Sequence, residues 1–235
     1  MSSFSESLLL AGKLIGTLDA TLVQIVLRSL YVSLVATLLA LAIGLALGAS
    51  LGLAKFKLKG LLTLLLNTYV AIPAVIVGLI VYVLLSRSGP LGSLGWLYSK
   101  QAMIFAQTLL VIPLVATMTR QVIADANDHL GDTLASMGTP FWQRAAWLLI
   151  SERFALLTVA VTAFGRAISE VGTVMIVGGN IEGFTRVMTT AIALETSKGD
   201  LPMALALGAV LLLTVFLLNG GLALLSVNRE TGVLR

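Results

Sequence analysis

An all-α integral membrane protein is the fold class that the sequence predicts, because of its composition and of five long apolar runs. Hydrophobic residues make up 58% of the 235 residues, charged residues make up only 11%, and the mean hydropathy is +1.02. Such a chain has too little polar surface to cover a water-soluble globule. A membrane-spanning helix needs roughly 20 residues, and the runs lie at about 30–54, 61–85, 102–119, 154–178 and 202–226. We therefore predict a bundle of five spans, since helices satisfy their own backbone groups inside lipid.

Residues 1–24 are predicted to form an amphipathic segment that precedes the membrane domain. Its apolar positions are interrupted by three charged residues, Glu6, Lys13 and Asp19. It therefore lacks the uninterrupted apolar region of a cleavable signal peptide. We expect one helix from Phe4 to Gln24, lying in the membrane interface, and a transmembrane domain over residues 25–235.

The first span carries a small residue at every fourth position, on one helix face: Ala36, Ala40, Gly44, Gly48 and Gly52. A face of small residues lets another helix approach closely, which promotes helix association in lipid. We favour packing within the chain, with an interface between two subunits as the alternative.

Lysines between the first and second spans indicate the orientation of the chain. Lys55, Lys57 and Lys59 crowd this short turn, and basic residues are enriched in short cytoplasmic loops. Alternation of the spans then places the N-terminus outside and the C-terminus in the cytoplasm. The chain is accordingly predicted to be a multi-pass protein of the plasma (inner) membrane.

Two prolines lie inside apolar runs, where each removes a backbone donor and favours a bend. Pro73 is in the second run and Pro113 is in the third. Bends near the middle of a membrane suit a cavity, but prolines are also common in membrane helices generally. The prolines therefore do not discriminate between functions.

The longest cytoplasmic connection, residues 120–153, has the pattern of two helices joined by a sharp turn. Three apolar residues at helical spacing give the first helix a stripe: Leu130, Leu134 and Met137. Gly138 suits the left-handed conformation that ends a helix, and Thr139 can cap the next helix with Pro140 at its first position. Such a hairpin either rests on the membrane or acts as a rigid lever for a soluble partner.

This hairpin resembles the EAA motif of permease subunits of ATP-binding-cassette importers, in which Glu-Ala-Ala is followed, after three residues, by a glycine. Aligned on Gly138, Asp132 takes the place of the glutamate, and Thr133 and Leu134 take those of the alanines. The later positions of the motif fall on Leu148, Ile150 and Ser151, and the serine replaces a proline. The hairpin also lies between the third and fourth of five spans, where this family carries its coupling loop.

A second stretch narrows the resemblance to oxyanion permeases. GRAISEVGTVMIVGG is similar to the segment after the coupling loop in molybdate and tungstate permeases, and NIEGFTRVMTTAIALETSKGDLPMALALG is most similar to the tungstate branch. With these stretches, the chain is identified as a member of the type I importer permeases for tetrahedral oxyanions.

The resemblance implies a homodimer with the substrate path along its two-fold axis. Two copies of a cytosolic ATPase, which bind ATP and magnesium, would dock on the coupling loop, and an external binding protein would deliver tungstate or molybdate. The implied ATPase contacts are Asp132, Leu134, Ala135, Met137 and Gly138. We expect no catalytic residue, metal site or cofactor in this chain, which has no phosphate-binding glycine loop, and no C-terminal regulatory domain.

Arg166 and Glu170 are charged residues inside the fourth apolar run. They are one helical turn apart, so their side chains can meet on one face. A lone charge at the centre of a membrane costs at least about 2.5–3.5 kcal/mol, which a pair reduces. The residues are therefore either a structural ion pair or part of the translocation path.

The external segment after the fourth span is predicted to contain a short helix. Four residues lie at helical spacing before Gly199: Val187, Thr190, Ala191 and Leu194. The resemblance implies that this segment touches the binding protein, with Arg186, Glu195 and Lys198 as candidate contacts. The alternative for these three charges is a solvated edge without a partner.

Three other functions compete with the oxyanion importer. An ion-coupled secondary transporter that works alone is suggested by Glu170 and the prolines, but such carriers usually show internal repeats, and none is visible. A membrane-embedded enzyme lacks a plausible catalytic set, with one histidine and no cysteine. An importer permease for another anion, such as sulfate, is the third alternative.

Overall fold

The computed structural model describes residues 4–54 and 56–232, and all of the regular structure in that part is helical. Besides a short 3₁₀ turn at Gly92–Leu94, the helices are α1 Phe4–Gly16, α2 Ala20–Leu53, α3 Lys59–Ala71, α4 Ala74–Leu85, α5 Lys100–Ser136, α6 Phe141–Ser151, α7 Arg153–Ile168, α8 Gly172–Gly178, α9 Met188–Lys198 and α10 Leu201–Gly232. Lys55 of the predicted cytoplasmic turn and the C-terminal Arg235 lie outside the described residues.

The predicted helical membrane fold is confirmed. Three helices, α2, α5 and α10, are long and apolar enough to cross a membrane, and two bent helix pairs bring the number of spans to as many as five. The bent pairs are α3 with α4, whose axes differ by 95°, and α6 with α7, whose axes differ by 77°.

Close packing of α2 against α5 forms the centre of the bundle. A Cβ atom on Gly48 would lie 2.6 Å from the backbone oxygen of Ala116, and one on Gly44 would lie 2.7 Å from Cβ of Val115. The small-residue face of the first span is therefore used within the chain, as the sequence favoured. Since these contacts involve backbone atoms, they fix the distance between the two helices.

The N-terminal segment contains a helix break that the sequence analysis did not predict. α1 ends at Gly16, and the Asp19 carboxylate accepts hydrogen bonds of 3.0 Å from the N–H groups of Thr21 and Leu22 at the start of α2. The prediction of one helix from Phe4 to Gln24 is wrong, because Asp19 caps a new helix and must itself leave helical geometry. α1 buries Ala11 in a cluster with residues of α9 and α10.

The two prolines have different effects. Ile72 takes the extended conformation that a following proline favours, and the second span breaks there into α3 and α4. Pro113 is buried within α5, which continues as one helix. α5 also joins the predicted third span, 102–119, to the first helix of the predicted loop.

The predicted fourth span, 154–178, is two helices rather than one. α7 ends at Ile168, and α8 begins at Gly172 after three residues that are not helical. The predicted short helix after this span is confirmed as α9, which ends at Gly199 with a left-handed φ of +82°.

We predict that Gly48→Ala destabilises the fold, because the added Cβ meets backbone atoms of α5 that cannot rotate away. The expected loss is about 1–3 kcal/mol of unfolding free energy, as for other overpacked cores. Thermal unfolding of the purified protein measures it. Gly208→Ala in α10 is the matched control, since its Cβ meets nothing within 4 Å; equal stability of the two variants would contradict the packing argument.

Candidate functional site

The hairpin predicted to be cytoplasmic consists of a helix, a left-handed turn and a second helix, as the sequence predicted. α5 ends at Ser136, and Gly138 has a φ of +69°. The predicted cap is wrong in detail: the Thr139 hydroxyl donates back to the Leu134 carbonyl oxygen at 2.5 Å, so it closes the end of α5. Pro140 therefore sits at the N-cap of α6, without a side-chain hydrogen bond.

Of the five residues predicted to contact an ATPase, one is half-buried and four are exposed. Leu134 is half-buried against a cluster at the ends of α2, α5 and α6. The other four are exposed at the tip: Asp132, Ala135, Met137 and Gly138. Met137, a large apolar side chain at the tip, is 71% exposed. The tip is thus anchored by Leu134 and presents the apolar Met137 side chain at its surface.

Beside this tip, α5 and α6 enclose a polar recess of about 570 Å³ that the sequence analysis did not predict. Its lining includes Asp128 and Asp132 from α5 and Arg144 from α6, and none of these three forms an ion pair within the described residues. The Arg144 Nε and Asn127 Oδ1 atoms are buried without a hydrogen-bond partner in the described part of the chain. Only the folding of the hairpin brings Arg144 next to the aspartates, so spacing alone could not have indicated the recess.

Arg166 and Glu170 meet as predicted, with 2.5 Å between Arg166 Nη1 and Glu170 Oε2. Glu170 is 5% exposed, whereas the Arg166 side chain is 41% exposed. The pair does not lie on a continuous helix, because Glu170 falls in the break between α7 and α8. The backbone leaves helical geometry there, but the Glu170 carboxylate still reaches the Arg166 guanidinium.

Glu170 makes further bonds that hold this break together. Its Oε1 atom accepts from the N–H of Thr173 at 3.1 Å, in the first turn of α8. Its backbone oxygen accepts from the Thr189 hydroxyl of α9 at 2.7 Å. Both carboxylate oxygens are therefore engaged, and Glu170 joins three helices. This geometry favours the structural interpretation for Glu170 and leaves Arg166 as the charge that faces outward.

The charged residues predicted to contact a binding protein are mostly engaged within the chain. Arg186 and Glu195 have side chains only 12% exposed and lie 3.9 Å apart, while Lys198, 52% exposed, lies 3.2 Å from Glu195. The Arg28 guanidinium donates to the carbonyl oxygens of Arg186 and Gly183 at 2.8 and 2.7 Å, which holds the loop before α9 against α2.

The residues that project most from this loop are ones that the sequence analysis did not single out. Ile181 and Phe184 are 44% and 48% exposed, and the Glu182 side chain is 75% exposed. Of the three predicted contacts, Lys198 alone is comparably accessible. The tip of the loop and Lys198 are therefore the parts of this surface that a partner can reach.

No protein-family model matches the chain. Among known proteins, it is 45% identical to the tungstate uptake system permease protein TupB of Peptoclostridium acidaminophilum over 167 residues, which are 71% of this chain and 73% of that protein. It is 41% identical to TupB of Campylobacter jejuni over 165 residues, covering 70% and 69% of the two chains. It is 39% identical to a "Probable anion ABC transporter permease protein" of Haloferax volcanii over 166 residues, covering 68% and 72%.

We predict that Arg166→Ala destabilises the protein by about 3 kcal/mol, because it leaves the buried Glu170 carboxylate without a cation. Adding Glu170→Gln should restore much of the loss, since the glutamine oxygen still accepts from the Thr173 N–H and carries no charge. Thermal unfolding of both single variants and the double variant gives the coupling energy. Strictly additive losses would contradict the pairing.

Proposed function

The chain belongs to the family of anion permeases of ATP-binding-cassette transporters that includes the tungstate uptake permeases, and from this membership we propose that it forms the membrane path for tungstate. The observation that carries the proposal is the similarity to two tungstate uptake permeases over about 70% of the chain. A separate ATPase supplies the energy, and an external binding protein delivers the anion.

A homodimer is the assembly that fits the exposure of Arg166. In a membrane protein, a charged side chain within a span faces protein or water, because contact with lipid is costly. Arg166 is 41% exposed in the single chain, so a second copy and an enclosed aqueous path must cover this side. None of the residues of α3 is buried in the described part of the chain, which supports the same proposal.

The electrostatics of the Arg166 side suit the passage of a dianion. Two copies place two guanidinium groups near the axis, and each has further N–H donors besides the one bonded to Glu170. The adjacent carboxylate lowers the net attraction, so the anion is drawn in without being held. Weak binding of this kind is what conduction through a selective path requires.

The hairpin tip supplies the docking point for the ATPase. Asp132 and Met137 are exposed at the end of a rigid helix, and the neighbouring recess presents charges of both signs to a protein partner. Lys57 and Lys59 lie at the same end of the bundle and support its cytoplasmic position under the positive-inside rule. The binding protein then docks at the opposite end, near Lys198 and the loop tip.

A stand-alone ion-coupled carrier is the weaker candidate. It would need a membrane carboxylate that is free to take up and release a proton. Both oxygens of Glu170 are already engaged, by Arg166 and by the Thr173 N–H.

We predict that Gly138→Val abolishes co-purification with the partner ATPase, whereas Gly138→Asn largely preserves it. A Cβ at Gly138 meets no atom within 4 Å, so the φ of +69° is the only obstacle. Asparagine tolerates this conformation and a β-branched residue does not. Gly95→Val is the matched control, at φ +63° and also in open space, but outside the hairpin. If the Gly95→Val variant also failed to co-purify with the ATPase, that result would contradict the docking assignment.

Reconstituted transport tests the substrate directly. Proteoliposomes that contain the permease, its ATPase and its binding protein should accumulate tungstate when ATP is supplied, and should take up sulfate much more slowly. A parallel arm with molybdate tests discrimination between anions of nearly equal size and charge. Uptake by the permease alone under an ion gradient would refute the proposal, as would preference of the complete system for sulfate.

A further inference from the structure

The two broken spans meet at their breaks. α4 begins directly after Pro73, and α8 begins two residues after Glu170. Their first turns are linked by a hydrogen bond of 2.7 Å from the Thr173 hydroxyl to the Ala74 carbonyl oxygen. Residues 99 positions apart in sequence thus connect one break to the other.

The two short helices pack with no space between them. A Cβ atom on Gly78 would lie 2.9 Å from Cα of Thr173. A Cβ atom on Gly172 would lie 2.7 Å from Cγ2 of Val75. The Gly78 contact is with the backbone of Thr173 and the Gly172 contact is with the side chain of Val75, so α4 and α8 leave no room for sliding along each other without separating.

The far ends of the same helices are held against the start of α5. Val81 and Leu85 of α4 and Val174 and Val177 of α8 share one buried cluster with Met103 of α5. We call α4 and α8 the outer unit; Met103 belongs to α5, which continues unbroken to Ser136 and packs closely against α2. By contrast, α3 buries none of its residues, and α7 continues from the coupling hairpin through Glu152.

Thr173 connects this outer unit to the charge pair. Its side chain donates to Ala74, and its N–H donates to Glu170 Oε1, whose other oxygen pairs with Arg166. Thr173 is fully buried. One residue therefore ties both breaks and the only ion pair described within the spans into a single network.

We propose that the outer unit moves as one rigid body during transport, with hinges at the breaks 72–73 and 169–171, and that Thr173 is the positioning residue that makes the two hinges act together. Because the breaks lack continuous helical hydrogen bonds, bending there costs less free energy than bending within a helix. Movement of the hairpin is carried by α7 to the second break and, through Thr173, to the first. This inference rests on the proposed importer function.

An engineered disulfide tests the rigid unit. The chain has no cysteine. A Cβ atom on Gly172 would lie 2.7 Å from Cγ2 of Val75, and Cγ2 is one bond from the Val75 Cβ. The two Cβ positions are therefore within about 4.2 Å, which suits a disulfide between Val75→Cys and Gly172→Cys. In the reconstituted complex, we expect oxidation to leave ATP-driven anion uptake unchanged, because the bond joins helices that never separate. Val75→Cys alone, treated with the same oxidant, is the control.

The outcome distinguishes this inference from the proposed function. Uptake by the reduced variant, lost on oxidation and recovered with reductant, would overturn the rigid unit while leaving the importer function intact. A second outcome is that neither the wild type nor the reduced variant takes up tungstate, while both take up another oxyanion. This result would overturn the assigned substrate, and the oxidation comparison is then made with that anion.

Substitution of Thr173 tests its role separately. Thr173→Val keeps the shape but removes the hydroxyl that donates to Ala74, and we expect anion uptake per ATP hydrolysed to fall several-fold because the two breaks are no longer tied together. Thr173→Ser should restore the ratio. A purely structural role would lower the amount of assembled complex without changing this ratio. If Thr173→Val took up as much anion per ATP as the wild type, the positioning role would be overturned. The disulfide experiment does not require the Thr173→Val variant to fold.

Discussion

The buried carboxylate of Glu170 is the group on which the arrangement of the broken spans depends. A carboxylate in an apolar bundle must be neutralised and hydrogen-bonded, because neither lipid nor a dry core can solvate it. Arg166 supplies the cation, the Thr173 N–H occupies the second oxygen, and Thr189 binds the backbone oxygen of the same residue. Satisfying one residue therefore sets the relative positions of α7, α8 and α9.

The rest of the bundle divides into a rigid scaffold and a loosely packed side. α2 and α5 approach so closely at Gly44 and Gly48 that a Cβ atom on either glycine would overlap α5. By contrast, none of the α3 residues is buried in the described part of the chain. The Arg166 side chain of α7 is also partly exposed. Under the proposed function, the scaffold would keep the path aligned, and the loosely packed side would meet the second copy.

The hairpin formed by the end of α5 and by α6 is connected to the broken fourth span without an intervening loop. α5 runs from the outer cluster to the hairpin tip as one helix, and α6 passes into α7 through a bend at Glu152. Leu134, Ala145 and Leu148 hold the hairpin against the ends of α2 and α5. Helices α6 and α7, with one bend between them, therefore connect the hairpin to the break that contains Glu170.

Composition, apolar runs and the pattern around Gly138 were enough to determine the membrane class, most helices, the hairpin and the meeting of Arg166 with Glu170. These features depend on residue hydropathy and on spacing within one or two turns, which a sequence displays directly. Only the tertiary structure decided that Asp19 caps a new helix, that the fourth span is broken, that Arg144 lies beside Asp132, and that Arg186 and Glu195 are largely buried. Each of these depends on which side chain or backbone group satisfies a polar atom. For Glu170, two of those partners are Thr173, in a helix that the break itself creates, and Thr189, in a different helix, and apolar spacing carries no signal for either.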